Sequence, residues 1–125
     1  MIVGIGTDLV AVARVRRVHE RYGERFARRV LHADELPAYR DHADPARLLA
    51  KRFAVKEAAV KALGTGERGG VLLRDFRVGH DALGKPLLGV SGRAEARCAE
   101  LGVAAMHVSI SDEDALAVAF VVLER

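Results

Sequence analysis

Residues 45–64 read PARLLAKRFAVKEAAVKALG, and every local signal in them is helical. Asp44 stands as an N-cap before a proline at the first helical position, and Gly64 supplies the C-terminal stop. Leu49, Phe53 and Val60 recur at helical spacing as one apolar stripe. Glu57 falls inside that stripe, four residues after Phe53 and three before Val60. A carboxylate buried there without a partner costs on the order of several kcal/mol. It needs a cation, a metal or a strong donor. An ion pair with Lys61 at i+4 is the commonest way to meet that need.

On the N-terminal side, residues 2–8, IVGIGTD, read as a strand. One face carries Val3, Ile5 and Thr7; the other carries Ile2, Gly4, Gly6 and Asp8. Two glycines beside an aspartate leave backbone room for close approach. Alternatively, Asp8 ends the strand and caps the next segment. Val12, Val15, Val18, Tyr22, Phe26 and Val30 predict an amphipathic helix over 12–30, interrupted near Gly23. Residues 32–42 are polar, contain Pro37, and read as a short helical turn and a loop.

On the C-terminal side, residues 65–70 are glycine-rich and expected to be mobile. Residues 76–80 and 86–90 predict two strands around the turn Asp81-Ala82-Leu83-Gly84. Ser91 caps a further helix running to Leu101 and stopped by Gly102. Residues 105–111 and 116–123 predict a last strand pair around Asp112-Glu113-Asp114. The order is strand, two or three helices, two strands, helix, two strands. Hairpins beside helices predict an α+β fold with an antiparallel sheet packed on helices.

The chain has 125 residues and 50% hydrophobic content, which predicts one globular domain over 1–125. Its single cysteine, Cys98, excludes an intrachain disulfide and a cysteine metal cluster. No apolar run approaches the ~20 residues of a membrane span. The start, MIVGIGTD, lacks a basic segment and is not a signal peptide, so a cytoplasmic protein is expected.

Asp8 and Glu57, with no histidine or cysteine cluster nearby, match a hard, oxygen-liking cation. Mg²⁺ typically takes one or two protein carboxylates, several waters and substrate phosphates. Arg52, Lys56 and Lys61 surround Glu57, and Gly64-Thr65-Gly66 comes next, a combination suited to a phosphorylated ligand. Neither a Walker loop nor a dinucleotide fingerprint is present, because GxxxxGK[ST] is absent and Leu9 stands where GxGxxG needs glycine.

The net charge is only +3, but sixteen of the twenty basic residues are arginines. Between Arg14 and Arg29, seven arginines stand against Glu20 and Glu24. Arg14, Arg17, Arg21, Arg25 and Arg28 form a stripe opposite Val15, Val18, Tyr22 and Phe26. A solvated helix face, a nucleic-acid groove and a docking face for an acidic protein are the three readings. Against the nucleic-acid groove, the two aromatics belong to the apolar stripe and leave no stacking platform.

Four motifs carry a resemblance across essentially the whole chain: IVGIGTDLVAVARV at 2–15, RFAVKEAAVKALGTG at 52–66, Gly84-Lys85-Pro86, and HVSISD at 107–112. In this order and spacing they resemble the holo-(acyl-carrier-protein) synthases, the short 4′-phosphopantetheinyl transferases of fatty-acid synthesis. The resemblance implies that fold and a transfer of phosphopantetheine from coenzyme A to a serine of an apo acyl carrier protein, with release of adenosine 3′,5′-bisphosphate. It implies that Asp8 and Glu57 hold Mg²⁺, and that Lys61 acts with them in catalysis. It places Arg52, Lys56, Lys61 and Gly64 at the CoA phosphates, and Lys85, Pro86, His107 and Ser109 near the nucleotide end. Arg14 and Arg25, and less directly Arg21, map to carrier docking. A homotrimer with active sites between neighbouring subunits is implied as well, with no nucleic-acid or membrane partner.

One position departs from the pattern. The family commonly has histidine where this chain has Asp112, followed by Glu113 and Asp114. An aspartate there repels phosphate unless it points away or helps to bind metal. Two competing functions are a nucleic-acid-binding module and a Mg²⁺-dependent phosphohydrolase. The first has no need of two carboxylates at core-like positions. The second has no need of a long arginine face.

Overall fold

The computed structural model describes residues 1–66 and 68–125. Strand β1 (Ile2–Ala11) leads into helix α1 (Val12–Tyr22) and helix α2 (Glu24–Val30). A single 3₁₀ turn (Ala33–Glu35) precedes helix α3 (Leu36–Asp41) and the long helix α4 (Pro45–Leu63). Strands β2 (Phe76–His80) and β3 (Pro86–Val90), helix α5 (Gly92–Leu101), and strands β4 (Ala105–Asp112) and β5 (Leu116–Glu124) complete the chain. This is the α+β order that the sequence predicts.

The caps of α4 form as its sequence dictates. The Asp44 side chain accepts from the Arg47 N–H, Pro45 opens the helix, and Gly64 closes it at φ 77°. The break between α1 and α2 falls on Gly23, whose φ of 57° suits glycine, and its N–H donates to the His19 carbonyl. Ser91 occupies the N-cap of α5, but its hydroxyl donates to the Asp75 carbonyl instead of capping the helix.

Two differences from the predicted layout matter. The strands form two antiparallel sheets, one ordered β1-β5-β4 and one made of the β2-β3 hairpin. Strand β1 also continues past Asp8 to Ala11, because β5 pairs with it as far as Ala11 opposite Leu116. Asp8 is therefore a mid-strand residue opposite Ala119, not a cap, and Ala11 begins α1 with no side-chain cap.

Helix α4 is buried on most of its surface, with Leu49, Val55, Ala58 and Leu63 each 1% exposed or less. Helices of this kind are central rather than peripheral. Its seat on β1 depends on the two glycines. A Cβ at Gly6 would stand 2.9 Å from both the Ala58 carbonyl carbon and the Ala62 nitrogen, and closer still to the Ala58 oxygen. A Cβ at Gly4 would crowd the Ala62 carbonyl in the same way. The close approach foreseen at these glycines is thus made by α4 itself.

The inner face of the β1-β5-β4 sheet supplies Val10, Ala117, Ala119, Val121 and Leu123 to the core. Its outer face is uncovered in the single chain and carries Ile5 (60% exposed), Leu9, Leu116 and Phe120. Among the described residues no helix is long and apolar enough to cross a membrane.

Candidate active site

Asp8 reaches the site from the inward face of β1, the face that also carries Gly4 and Gly6. Its carboxylate is mostly enclosed, 16% exposed, and its Oδ1 accepts a 3.0 Å bond from Lys61 Nζ. The same ammonium donates at 2.9 Å to the Thr7 carbonyl. Lys61 therefore spans from α4 to β1. Glu57 lies one helical turn before Lys61 on α4. Asp8 and Glu57 line one open recess of about 390 Å³, with Phe53, Phe26 and Arg14 on its other walls. Two strand–helix carboxylates, widely separated in sequence, are thus brought together as their sequence patterns suggested.

The recess contains no histidine or cysteine, and its charged donors are hard oxygens. Among the described residues no three His, Cys, Asp or Glu side chains form a metal cage. That composition suits a cation that takes few ligands from protein and the rest from water and phosphate, as Mg²⁺ does. The donor set fits the expected ion on these grounds.

A second recess of about 330 Å³ shares Val18 and Phe26 with the first and is walled by Tyr22, Arg25 and Arg29. The two recesses adjoin along α1 and α2: Asp8, Glu57 and Arg14 line one, Arg25 and Arg29 the other. Arg14, Arg17, Arg21, Arg25, Arg28 and Arg29 are exposed. Some of the local charge is neutralised: Glu24 binds Arg28 and Arg40, and Asp44 binds Arg16. Tyr22 is not part of the apolar core. It is 48% exposed and carries the Arg21 guanidinium 5.4 Å above its ring.

Lys56 and Arg52 are elsewhere, which corrects their expected place among phosphate-lining residues. Lys56 is fully buried; its ammonium donates at 2.7 Å to the Val30 carbonyl and forms a short ion pair with Glu35. Burial pulls its pKa from 10.5 down to about 8, against the opposing pull of Glu35. Arg52, 11% exposed, binds the other Glu35 oxygen at 3.0 Å. Glu35 also accepts from the His32 and Val78 N–H groups. One step around α4 separates the two roles: the Arg52–Lys56 face ties α4 to the chain between α2 and β2, while the Glu57–Lys61 face meets Asp8.

Glu35 is the residue that sequence reading missed. Its available signals were a glutamate set between Leu31 and Leu36, and two basic residues four apart on α4 with no acidic partner on that helix face.

Gly64 closes α4 beyond Lys61 and is not among the residues that line the recess of Asp8 and Glu57. The remaining expected residues are not gathered there within one chain. Lys85 and Pro86 lie on the β2-β3 hairpin, where Asp81 accepts from the Leu83 and Lys85 N–H groups. His107 and Ser109 project from the outer face of the β1-β5-β4 sheet, the side away from Asp8. His107 Nε2 lies 3.0 Å from Glu124 Oε1, and Ser109 stands opposite Phe120. Asp112 is engaged by α4 instead: its two oxygens meet Arg47 at 3.2 Å and Lys51 at 3.7 Å. Arg47 also donates to the Glu113 and Asp114 carbonyls, at 3.0 Å each. The Asp112 charge is therefore neutralised where it stands, and the turn after it is held through its backbone.

The model of the 4′-phosphopantetheinyl transferase superfamily matches residues 4–121. A holo-[acyl-carrier-protein] synthase of Photorhabdus laumondii is 52% identical over 124 residues, covering 99% of this chain and 98% of the relative. The crystal structure of the Neisseria meningitidis holo-[acyl-carrier-protein] synthase superposes with a TM-score of 0.93 at 44% identity, each chain covered over 100% of its length. A holo-(acyl-carrier-protein) synthase from Bacillus anthracis, solved in complex with CoA (3′,5′-ADP), superposes with a TM-score of 0.81 at 35% identity, covering 99% of this chain and 97% of that one. With the family model spanning nearly the whole chain and relatives this similar along their full length, the chain belongs to the 4′-phosphopantetheinyl transferase superfamily, among the holo-[acyl-carrier-protein] synthases.

Proposed function

We propose that residues 1–125 act as one domain that transfers 4′-phosphopantetheine from CoA to a serine of an apo acyl carrier protein. The observation that carries this reading is the recess shared by Asp8 and Glu57, opening beside the arginines of α1 and α2. In the reaction the serine oxygen forms a bond to the β-phosphorus of CoA. The pyrophosphate P–O bond breaks, adenosine 3′,5′-bisphosphate leaves, and the serine proton is released. The CoA complex of the Bacillus anthracis relative supports CoA as the donor. The expected setting is fatty-acid synthesis in the cytoplasm.

Asp8 and Glu57 would hold Mg²⁺, which when bound neutralises charge developing on the phosphates. Lys61 orients Asp8 through its 3.0 Å bond and would set a positive charge beside the phosphates. Arg14 and Arg25 would receive the acidic carrier along the two adjoining recesses.

A homotrimer with sites between subunits completes the reading. The outer sheet face is apolar at Ile5, Leu9 and Phe120, and it displays His107 and Ser109. A neighbouring chain packed on that side would let His107, Ser109, Lys85 and Pro86 reach a nucleotide whose phosphates sit beside Asp8 and Glu57 of the first chain. This accounts for why the two sets of residues stand apart in one chain.

The test is mass spectrometry of an apo acyl carrier protein incubated with CoA, Mg²⁺ and this protein. The carrier gains the mass of one phosphopantetheine with the wild type. Asp8→Ala and Glu57→Gln stay folded and lose nearly all transfer, since the amide keeps the shape of Glu57 but not its charge. Near-full activity of Glu57→Gln at limiting Mg²⁺ would remove Glu57 from the cation site. No mass gain with any carrier from the same organism would reject the transferase reading.

A further inference from the structure

We infer that Gly6 is a positioning residue: its bare backbone sets how closely α4 seats on β1, and so fixes the spacing of Asp8 from Glu57 and Lys61. This rests on the reading that Asp8 and Glu57 hold one cation. Gly6 and Asp8 are two apart on the inward face of the same strand. The carbonyl against which Gly6 packs belongs to Ala58, the residue next to Glu57. The atoms that a Cβ would meet are all backbone, at Ala58 and Ala62. No side-chain rotation can clear them, so strand and helix must separate.

Strand β1 has little freedom to yield. Gly6 pairs with Val121 and Asp8 with Ala119 on β5, inside a continuous ladder. Ala58, Ala62, Ala119 and Val121 are all buried, so small side chains surround the seam. Lys61 gives a second measure of the approach, because its ammonium reaches both the Thr7 carbonyl and Asp8 Oδ1 across the same gap. Crowding against backbone is local to this seam: at Gly89, Gly92 and Gly102 the near atoms belong to side chains, and at Gly79, the glycine of β2, a Cβ would meet nothing within 4 Å. A cation held by two carboxylates tolerates only small changes in their separation, since Mg²⁺ demands oxygens at about 2.0–2.1 Å in near-octahedral array.

The experiment measures Mn²⁺ binding by electron paramagnetic resonance, with CoA present and carrier absent, so that no turnover is needed. Gly6→Ala should weaken Mn²⁺ binding at least tenfold, and Gly4→Ala less, in the same direction. Gly79→Ala should bind as the wild type does. Phe76→Ala, a remote core truncation, should lower the melting temperature while retaining Mn²⁺ affinity. Asp8→Glu should weaken binding in the wild type, yet recover part of the loss in the Gly6→Ala background, where the longer side chain spans the widened gap. Wild-type Mn²⁺ affinity in folded Gly6→Ala overturns the inference, as does the same loss from Asp8→Glu in both backgrounds. If Gly6→Ala does not fold, unchanged affinity in Gly4→Ala overturns it. Absence of bound Mn²⁺ in the wild type rejects the cation reading itself, and the positioning role with it.

Discussion

Glu35 and Lys56 show what one buried charge demands of its neighbours. The Glu35 carboxylate is 3% exposed and accepts from Lys56, Arg52 and two backbone N–H groups. Removing it leaves the Lys56 ammonium buried without a counter-charge, a change worth ~3–5 kcal/mol. Glu35→Ala should therefore unfold at markedly lower urea, whereas Lys56→Met, which leaves Glu35 paired with Arg52, should lose less. Equal losses in chemical denaturation would show that Lys56 is not the group in need. A second residue-scale effect concerns acid. Arg40 first, and Arg28 after it, hold the Glu24 pKa at about 2, below its ordinary 4.5. A depressed carboxylate stabilises the fold fully above its unfolded pKa and loses that contribution as pH falls through the folded one. Glu24 should thus stabilise the protein above about 4.5, with the benefit fading toward about 2. Melting temperatures from pH 6 to pH 2 should fall less steeply in Glu24→Gln, and the difference should shrink in high salt because the pair is exposed. Parallel curves at low salt would mean that the Glu24 pairs add nothing.

At the scale of elements, the α1-α2 unit turns an arginine-rich segment into a surface. Gly23 breaks the helix at φ 57°, and the two helices then line adjoining recesses instead of continuing as a single rod. Arg14 stands in the carboxylate recess and Arg25 in its neighbour. If this surface receives an acidic carrier, Arg14→Glu/Arg25→Glu should raise KM for the carrier several-fold. The KM for CoA should stay nearly constant in the single variant Arg25→Glu, because Arg25 lies in the neighbouring recess, whereas Arg14 shares the recess of Asp8 and Glu57. Charge pairs of this kind contribute about 0.2–1 kcal/mol each when exposed, and reversal adds repulsion. Carrier KM in the wild type should also rise with salt, over the ~8–10 Å range of screening. Steady-state kinetics in a salt series checks both. A reversed variant with unchanged carrier KM but lost affinity for DNA or RNA would assign the arginines to nucleic acid instead. The acidic turn after β4 behaves differently: Arg47 and Lys51 of α4 neutralise Asp112, so it acts as a clasp between elements.

The whole molecule leaves one sheet face bare. Ile5, Leu9, Leu116 and Phe120 are each between 44% and 63% exposed on its outer side. Contiguous apolar surface of this kind commonly marks a protein interface. As the self-association face of the proposed trimer, it predicts about three chain masses by light scattering at micromolar concentration. Phe120→Asp should yield a folded, smaller species and lose transfer activity, since the site would lack its second chain. A fully active Phe120→Asp monomer would refute the shared site. The variant's circular dichroism should match the wild type, because Phe120 faces away from the core.

The amino-acid sequence alone determined the local elements. Asp44-Pro45 and Gly64 bound α4, Gly23 breaks α1 from α2, and strands 76–80 and 86–90 begin and end as predicted, because caps, prolines and glycines act over a few residues. It also singled out Asp8 and Glu57, since each is a carboxylate on an otherwise apolar pattern. What only the tertiary structure decided is which side chains meet. The extent of β1 past Asp8 depends on β5, more than a hundred residues away in sequence. The helix carrying Arg52, Lys56, Glu57 and Lys61 reads as one basic patch, but packing divides it. Successive residues point about 100° apart, so Lys56 enters the core to meet Glu35 while Lys61 reaches Asp8. Charge and spacing are written along the chain; burial, which sets whether a charge faces solvent, a ligand or another side chain, exists only once β1, β5 and α4 have packed.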